Sequence, residues 1–195
     1  MKKILFSLLF AATTLLSYGQ EALWNITYQV SIPVGETQDF IGKTSFRGIG
    51  IEGRWFVDNN VTIGGSVNWN TFYEKKDKVT TVIENTTITG THFNYINALP
   101  IYANAAYYFN EGSYIRPFAG INIGTIYSEE RMDVGLYTIK DEPWRFALAP
   151  EAGIMIQTQN SLNFTLNVRY NYGFEAGDNQ ALSFVGINAG LVWIY

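Results

Sequence analysis

The chain has no cysteine, one histidine and five prolines in 195 residues. Without thiols it can carry no disulfide framework, no thiolate metal site and no lipid on an N-terminal cysteine. Charged side chains are also scarce, at 15% against about 25% in ordinary globular domains. Their balance is acidic, with a formal net charge of −4, which speaks against nucleic acid as a partner. After the N-terminal leader, no apolar run reaches the ~20 residues that a spanning helix requires. The sequence therefore has too little charge for a typical soluble domain and no helix with which to cross a membrane.

The leader itself, "MKKILFSLLFAATTLLSYG", pairs a basic start (Lys2, Lys3) with an apolar core from Ile4 to Leu16. Ser17-Tyr18-Gly19 supplies a small-x-small cleavage site. These features predict a secretory signal peptide over 1–19 and a mature domain over 20–195. Removing Lys2 and Lys3 takes the net charge from −4 to −6.

What the chain has in plenty is aromatic side chains, at 16%, and glycine, at 18 residues, a composition that favours strands. In "WNITYQVSIPV" (24–34) the apolar residues Trp24, Ile26, Tyr28, Val30, Ile32 and Val34 fall at every second position. That period places them on one face of a strand. Similar patterns predict strands near 23–34, 45–57, 61–73, 93–109, 114–127, 144–157, 162–173 and 183–195, eight in all. Charges keep to the other face: Glu52 and Arg54 oppose Ile51 and Trp55, and Arg169 opposes Leu166 and Val168. Arg47 alone shares the apolar parity, at a strand end.

Alternation does not say which face is inside. Three further features do. Connections after even strands are short (58–60, 110–113, 158–161), and those after odd strands are longer (35–44, 74–92, 128–143, 174–182), as in outer-membrane barrels. Aromatics of the apolar face sort into two belts, with Trp24, Trp55, Tyr107, Phe109, Trp193 and Tyr195 at the short-turn end. Trp69, Tyr73, Phe93, Tyr95, Tyr127, Trp144, Tyr170 and Tyr172 lie towards the long loops, as rings at two lipid–water interfaces would. Finally, a barrel of this strand number has a lumen just wide enough for side chains. Glycines such as Gly50, Gly64 and Gly124 on the polar face are expected to make room there for long Arg and Glu side chains. The predicted fold class is all-β, an eight-stranded antiparallel transmembrane barrel of up-and-down meander, with a polar, plugged lumen. Pro100 and Pro150, in mid-strand, predict bulges beyond which the two faces would exchange.

The stretches "GIGIEGRWFVDNNVTIGGSVNW", "LPIYANAAYYFNEGSYIRPFAGINIG" and "LAPEAGIMI" resemble the small outer-membrane β-barrel superfamily of the OmpA and OmpX type. The resemblance spans about 20–195 and implies a barrel in a Gram-negative outer membrane, surrounded by lipid and lipopolysaccharide. It implies that Ile187, Leu191, Trp193 and Tyr195 form the signal read by the barrel-assembly machinery. It also implies that Glu52, Arg54, Arg116, Arg145, Glu151 and Arg169 interact inside the lumen. With the sequence ending at Tyr195, no counterpart of the periplasmic peptidoglycan-binding domain of OmpA proteins is expected.

Other candidates for chemistry carry less. His92, beside Thr91, is the one histidine and reads as a solvated loop residue; a rim histidine in a lipid A-modifying enzyme would need a hydroxyl and a carboxylate beside it. Glu129, Glu130, Asp133, Asp141 and Glu142 crowd the 128–143 loop as hard-cation donors without EF-hand spacing. The Thr- and Ile-rich 74–92 loop has strand propensity, so its hairpin would extend above the membrane and could bind a surface partner by edge. Lys75, Lys76 and Lys78 would blunt that edge. No cofactor and no metal site is expected. The sequence thus reads as a non-enzymatic structural or surface-interaction barrel, with partners reached through 74–92 and 128–143. The alternative is a narrow transport barrel for ions or small hydrophobic solutes, of the OmpW type.

Overall fold

The computed structural model describes residues 21–83, 86–135, 137–158 and 162–194, with the side chains of 78–89 left aside. The leader and Tyr195 of the proposed assembly signal lie outside the described residues. The strands are β1 (Ala22–Pro33), β2 (Ser45–Phe56), β3 (Val61–Ile83), β4 (Thr86–Tyr108), β5 (Ile115–Val134), β6 (Tyr137–Asp141), β7 (Trp144–Ile156), β8 (Leu162–Gly173) and β9 (Leu182–Ile194). One short helix, α1 (Glu36–Phe40), follows β1.

All pairings are antiparallel, and β1 pairs with both β2 and β9, so the sheet closes on itself. Closure leaves no edge in the spanning region, the condition for a sheet in lipid. Nine segments make eight staves. Tyr127 faces Trp144 and Glu130 faces Asp141, so β6 and β7 run along β5 in one register. Pro143 interrupts them because it has no N–H for the ladder.

The apolar faces point outward, with Ile51 54% and Leu166 48% exposed. Inward neighbours are buried, Arg54 to 2% and Asn167 to 3%. Burying so much polar side chain while baring so many aliphatic ones makes sense only with lipid outside. Ring contacts hold the belts: Trp24 meets Trp55 at 6.3 Å, and at the other end Tyr73 meets Tyr95 at 5.0 Å and Tyr127 meets Trp144 at 5.1 Å.

The prolines behave otherwise than expected. Pro100 faces Ile126 and Pro150 faces Ile121 in unshifted registers, so neither forms a bulge and the faces do not exchange. Each merely interrupts the ladder on its other side, where no pair forms at Pro100 with β3 or at Pro150 with β8. Register shifts fall instead opposite Gln29–Ser31, at Phe46 and Arg47 of β2, and between Lys76 and Val79 of β3. At the first, Phe46 and Arg47 are both exposed while Ser45 and Gly48 are buried, so two consecutive side chains point outward. The bulge turns Phe46 out of its alternation, while Arg47 keeps the outward parity of Ile49 and Ile51.

β3 and β4, at 23 residues each, far exceed the ~9–11 that span a bilayer. Pairing of β2 with β3 ends at Gly48 and Asn70, yet β3–β4 pairing continues to Ile83 and Thr86. β4 stays paired with β5 up to His92 and Val134, and β5 with β6 up to Val134 and Tyr137. Two hairpins thus join into one four-stranded sheet rising from the rim. The 128–143 segment, expected as a loop, is largely strand.

Candidate functional site

The lumen is layered. At its waist Arg54 Nε meets Glu52 at 2.8 Å, and Arg54 Nη2 pairs with Glu151. Arg169 Nη2 bridges Glu52 at 2.9 Å and Glu151 at 2.7 Å. Asn167 Nδ2 donates to Glu151 at 3.1 Å, and Asn188 Nδ2 to Asn167 at 2.7 Å. Two guanidiniums and two carboxylates form a neutral set, which limits the desolvation cost of enclosing them. The two other arginines of the expected group do not join it. Arg116 donates to the Asn59 carbonyl at 3.0 Å, its guanidinium 5.5 Å from the Phe56 and Tyr108 rings. Arg145 pairs with Glu130 at 2.8 Å and donates to Ser128 at 2.5 Å and to the Gln180 carbonyl at 3.0 Å.

Polar filling is only part of the interior, contrary to the sequence reading. Towards the short turns lies an apolar layer of Leu23, Ala106, Tyr108, Phe118, Met155 and Val192. Towards the long loops lies another, with Ile41, Phe72, Ile96, Ile126, Leu182 and Phe184 among its members. Between that layer and the waist runs an amide ladder, where Gln29 Nε2 donates to Asn68 Oδ1 at 2.7 Å and Ser31 Oγ to Asn70 Oδ1 at 2.8 Å. Gly50 sits against this ladder, and a Cβ there would collide with Asn68 Oδ1 and Gln29 Nε2. Such glycines make room for amides and neighbouring backbone rather than for the arginines.

The upper layer is completed by the first long connection. Ile41, just after α1, is fully buried in it. Ser183 N–H donates to Thr37 Oγ1 at 2.7 Å, Asn94 Nδ2 to the Phe40 carbonyl at 2.7 Å, and Gly42 N–H to Glu74 at 2.8 Å. Lys76 Nζ reaches the Asp39 carbonyl at 2.6 Å. Bonds to β3, β4 and β9 fix this segment as a lid across the mouth. Sequence inspection missed it because 35–44 has no periodicity; the paired Phe40 and Ile41 inside a polar loop were the available signal. A pocket of about 320 Å³ remains beside the lid, and one of about 510 Å³ opens at the short-turn end next to Arg116.

His92 is not a solvated loop residue. It lies inside β4, 2% exposed, with Lys76 and Val134 as its cross-strand neighbours, and its Nε2 has no hydrogen-bond partner among the described residues. The acidic residues of 128–143 are mostly paired: Glu129 and Glu142 with Lys140 (3.1 and 2.5 Å), Glu130 with Arg145, and Asp133 with Arg131 at 3.3 Å. No cluster with metal-ligand geometry occurs among the described residues. On the first hairpin Lys75 holds Asp77 at 2.9 Å. That hydrogen bond keeps the Asp77 carboxyl below its ordinary range, and Lys140 does the same to Glu142. Of the C-terminal residues, Ile187 and Leu191 face outward and Trp193 is partly buried beside Trp24.

Comparison with solved structures finds the same fold in several outer-membrane proteins. Neisserial surface protein A is 15% identical, with 90% of this chain and 97% of that chain covered and a TM-score of 0.54. OprG of Pseudomonas aeruginosa gives 14%, 91%, 96% and 0.56 in the same order. Ail, the attachment invasion locus protein of Yersinia pestis, gives 13%, 90%, 100% and 0.51. No curated protein matches the sequence. The family model described as outer membrane protein beta-barrel domain matches residues 4–194, and with the closed ring, lipid-facing aliphatics and enclosed charges in place, this chain belongs to that family.

Proposed function

We propose that the chain is an exported barrel of the Gram-negative outer membrane, without catalytic activity, whose plugged lumen supports a surface-interaction sheet. The observation that carries this reading is the combination of a lumen filled in successive layers with hairpins that rise, joined, above one side of the mouth. The ion-paired waist fixes register, since a slip by one residue would turn Glu52, Arg54, Glu151 and Arg169 into lipid. The free edges of β3 above Asn70 and of β6 are backbone surfaces to which a partner strand can add. The fold shared with Ail, named for attachment and invasion, supports a surface role.

The test is planar-bilayer recording of the refolded protein. The reading predicts a silent bilayer. Stable openings that change in Glu52→Ala would replace it with the narrow transport reading, which the pockets at both ends of the lumen favour.

A further inference from the structure

We infer that Arg47, with Lys43 beyond it, binds the phosphate of an anionic lipid headgroup at the long-loop rim. Four other strand arginines turn inward and are enclosed: Arg54, Arg116, Arg145 and Arg169. Arg47 keeps the outward parity of Ile49 and Ile51, and the bulge turns its neighbour Phe46 out beside it, with the Arg47 N–H donating to Ser45 Oγ at 3.1 Å. It sits just past the Gly48–Asn70 pair, at the level of Trp69 and Tyr73 in the upper aromatic belt. That is where hydrocarbon gives way to headgroups.

Among the described residues, other cations above the rim are paired within the protein. Lys75 holds Asp77, Arg131 holds Asp133 and lies 4.4 Å from the Tyr95 ring, and Lys140 holds Glu129 and Glu142. Arg47 makes no ion pair among the described residues and is exposed, whereas Lys43, exposed as well, already shares the field of Asp77 with Lys75. A guanidinium at a membrane interface with no protein anion matches the two-oxygen face of a phosphate. Exposed Phe46, beside it on the same outward bulge, offers acyl chains an apolar contact.

The inference rests on the outer-membrane reading above, and its test separates the two. Detergent-folded full-length protein is titrated with diphosphoryl lipid A under native mass spectrometry, with a phosphate-free galactolipid and inorganic phosphate as controls. Lipid A adducts are expected, weakened about tenfold in Arg47→Gln, the scale of one lost charge-assisted contact. Arg47→Lys should recover part of the loss, Lys43→Gln should weaken binding less, and Lys140→Gln, whose partners are Glu129 and Glu142, should leave it unchanged. Heat-modifiable gel mobility confirms that each variant is folded. Wild-type affinity in Arg47→Gln, equal binding of the galactolipid, or equal affinity for inorganic phosphate alone would each overturn the assignment. A conducting lumen with Arg47-dependent lipid binding would overturn only the plugged-barrel reading.

Discussion

Glu151 is the residue on which the waist turns, because both Arg54 and Arg169 pair with it. Removing it leaves two enclosed guanidiniums sharing Glu52. Breaking such a buried set from one side costs about 3–5 kcal/mol, so Glu151→Ala should lower unfolding free energy in lipid by that amount. Lys140→Ala, which removes solvent-screened pairs only, should change it far less. Denaturant titration of both variants checks the contrast; equal losses would mean that the waist contributes no more than surface charge. These residues were legible because period two put Glu52, Arg54, Glu151 and Arg169 on the face without aliphatics. Arg116 and Arg145 share that face but lie nearer opposite ends, and parity carries no information about height along the axis.

The elements divide into those dictated by alternation and those dictated by what the ring encloses. All eight staves were visible in the sequence, since lipid and lumen impose opposite demands on adjacent residues. The lid was not, because α1 and Ile41 are held by Ser183, Asn94 and Glu74, residues distant in the chain. Ile41→Ala should destabilise the fold by about 2–4 kcal/mol through the cavity left behind. It should also speed proteolysis within 35–44; unchanged stability and cleavage would show that the segment does not plug the mouth. The hairpins add a pH dependence. Asp77 and Glu142 are depressed by the lysines that hydrogen-bond them. Their contribution is therefore present above the usual carboxylate values and lost only as pH falls through the lower folded values. NMR of the hairpin amides should show little change from pH 8 to 5 and loosening below about pH 4. Loosening between pH 7 and 5 would place the responsible group elsewhere.

For the whole molecule the decisive property is which face of the closed sheet meets lipid. Composition, alternation and the sorting of aromatics to two rims pointed outward for the aliphatics, and the ring of pairings from β1 to β9 agrees. Position of the irregularities was harder to read. Pro100 and Pro150 keep register because neighbouring pairs on both sides hold it, whereas the bulge at Phe46 and Arg47 carries no proline or glycine mark. The absence of cysteine makes the orientation directly measurable. Single cysteines placed at Ile51, Leu166, Asn68 and Thr165 can be spin-labelled after reconstitution into bilayers, and collisions with oxygen and with a water-soluble nickel chelate compared. Labels at Ile51 and Leu166 should collide freely with oxygen and be shielded from the chelate, while those at Asn68 and Thr165 should be shielded from lipid-dissolved oxygen. The reverse pattern, with the chelate reaching Ile51 and Leu166, would contradict a barrel whose greasy face is turned to the membrane.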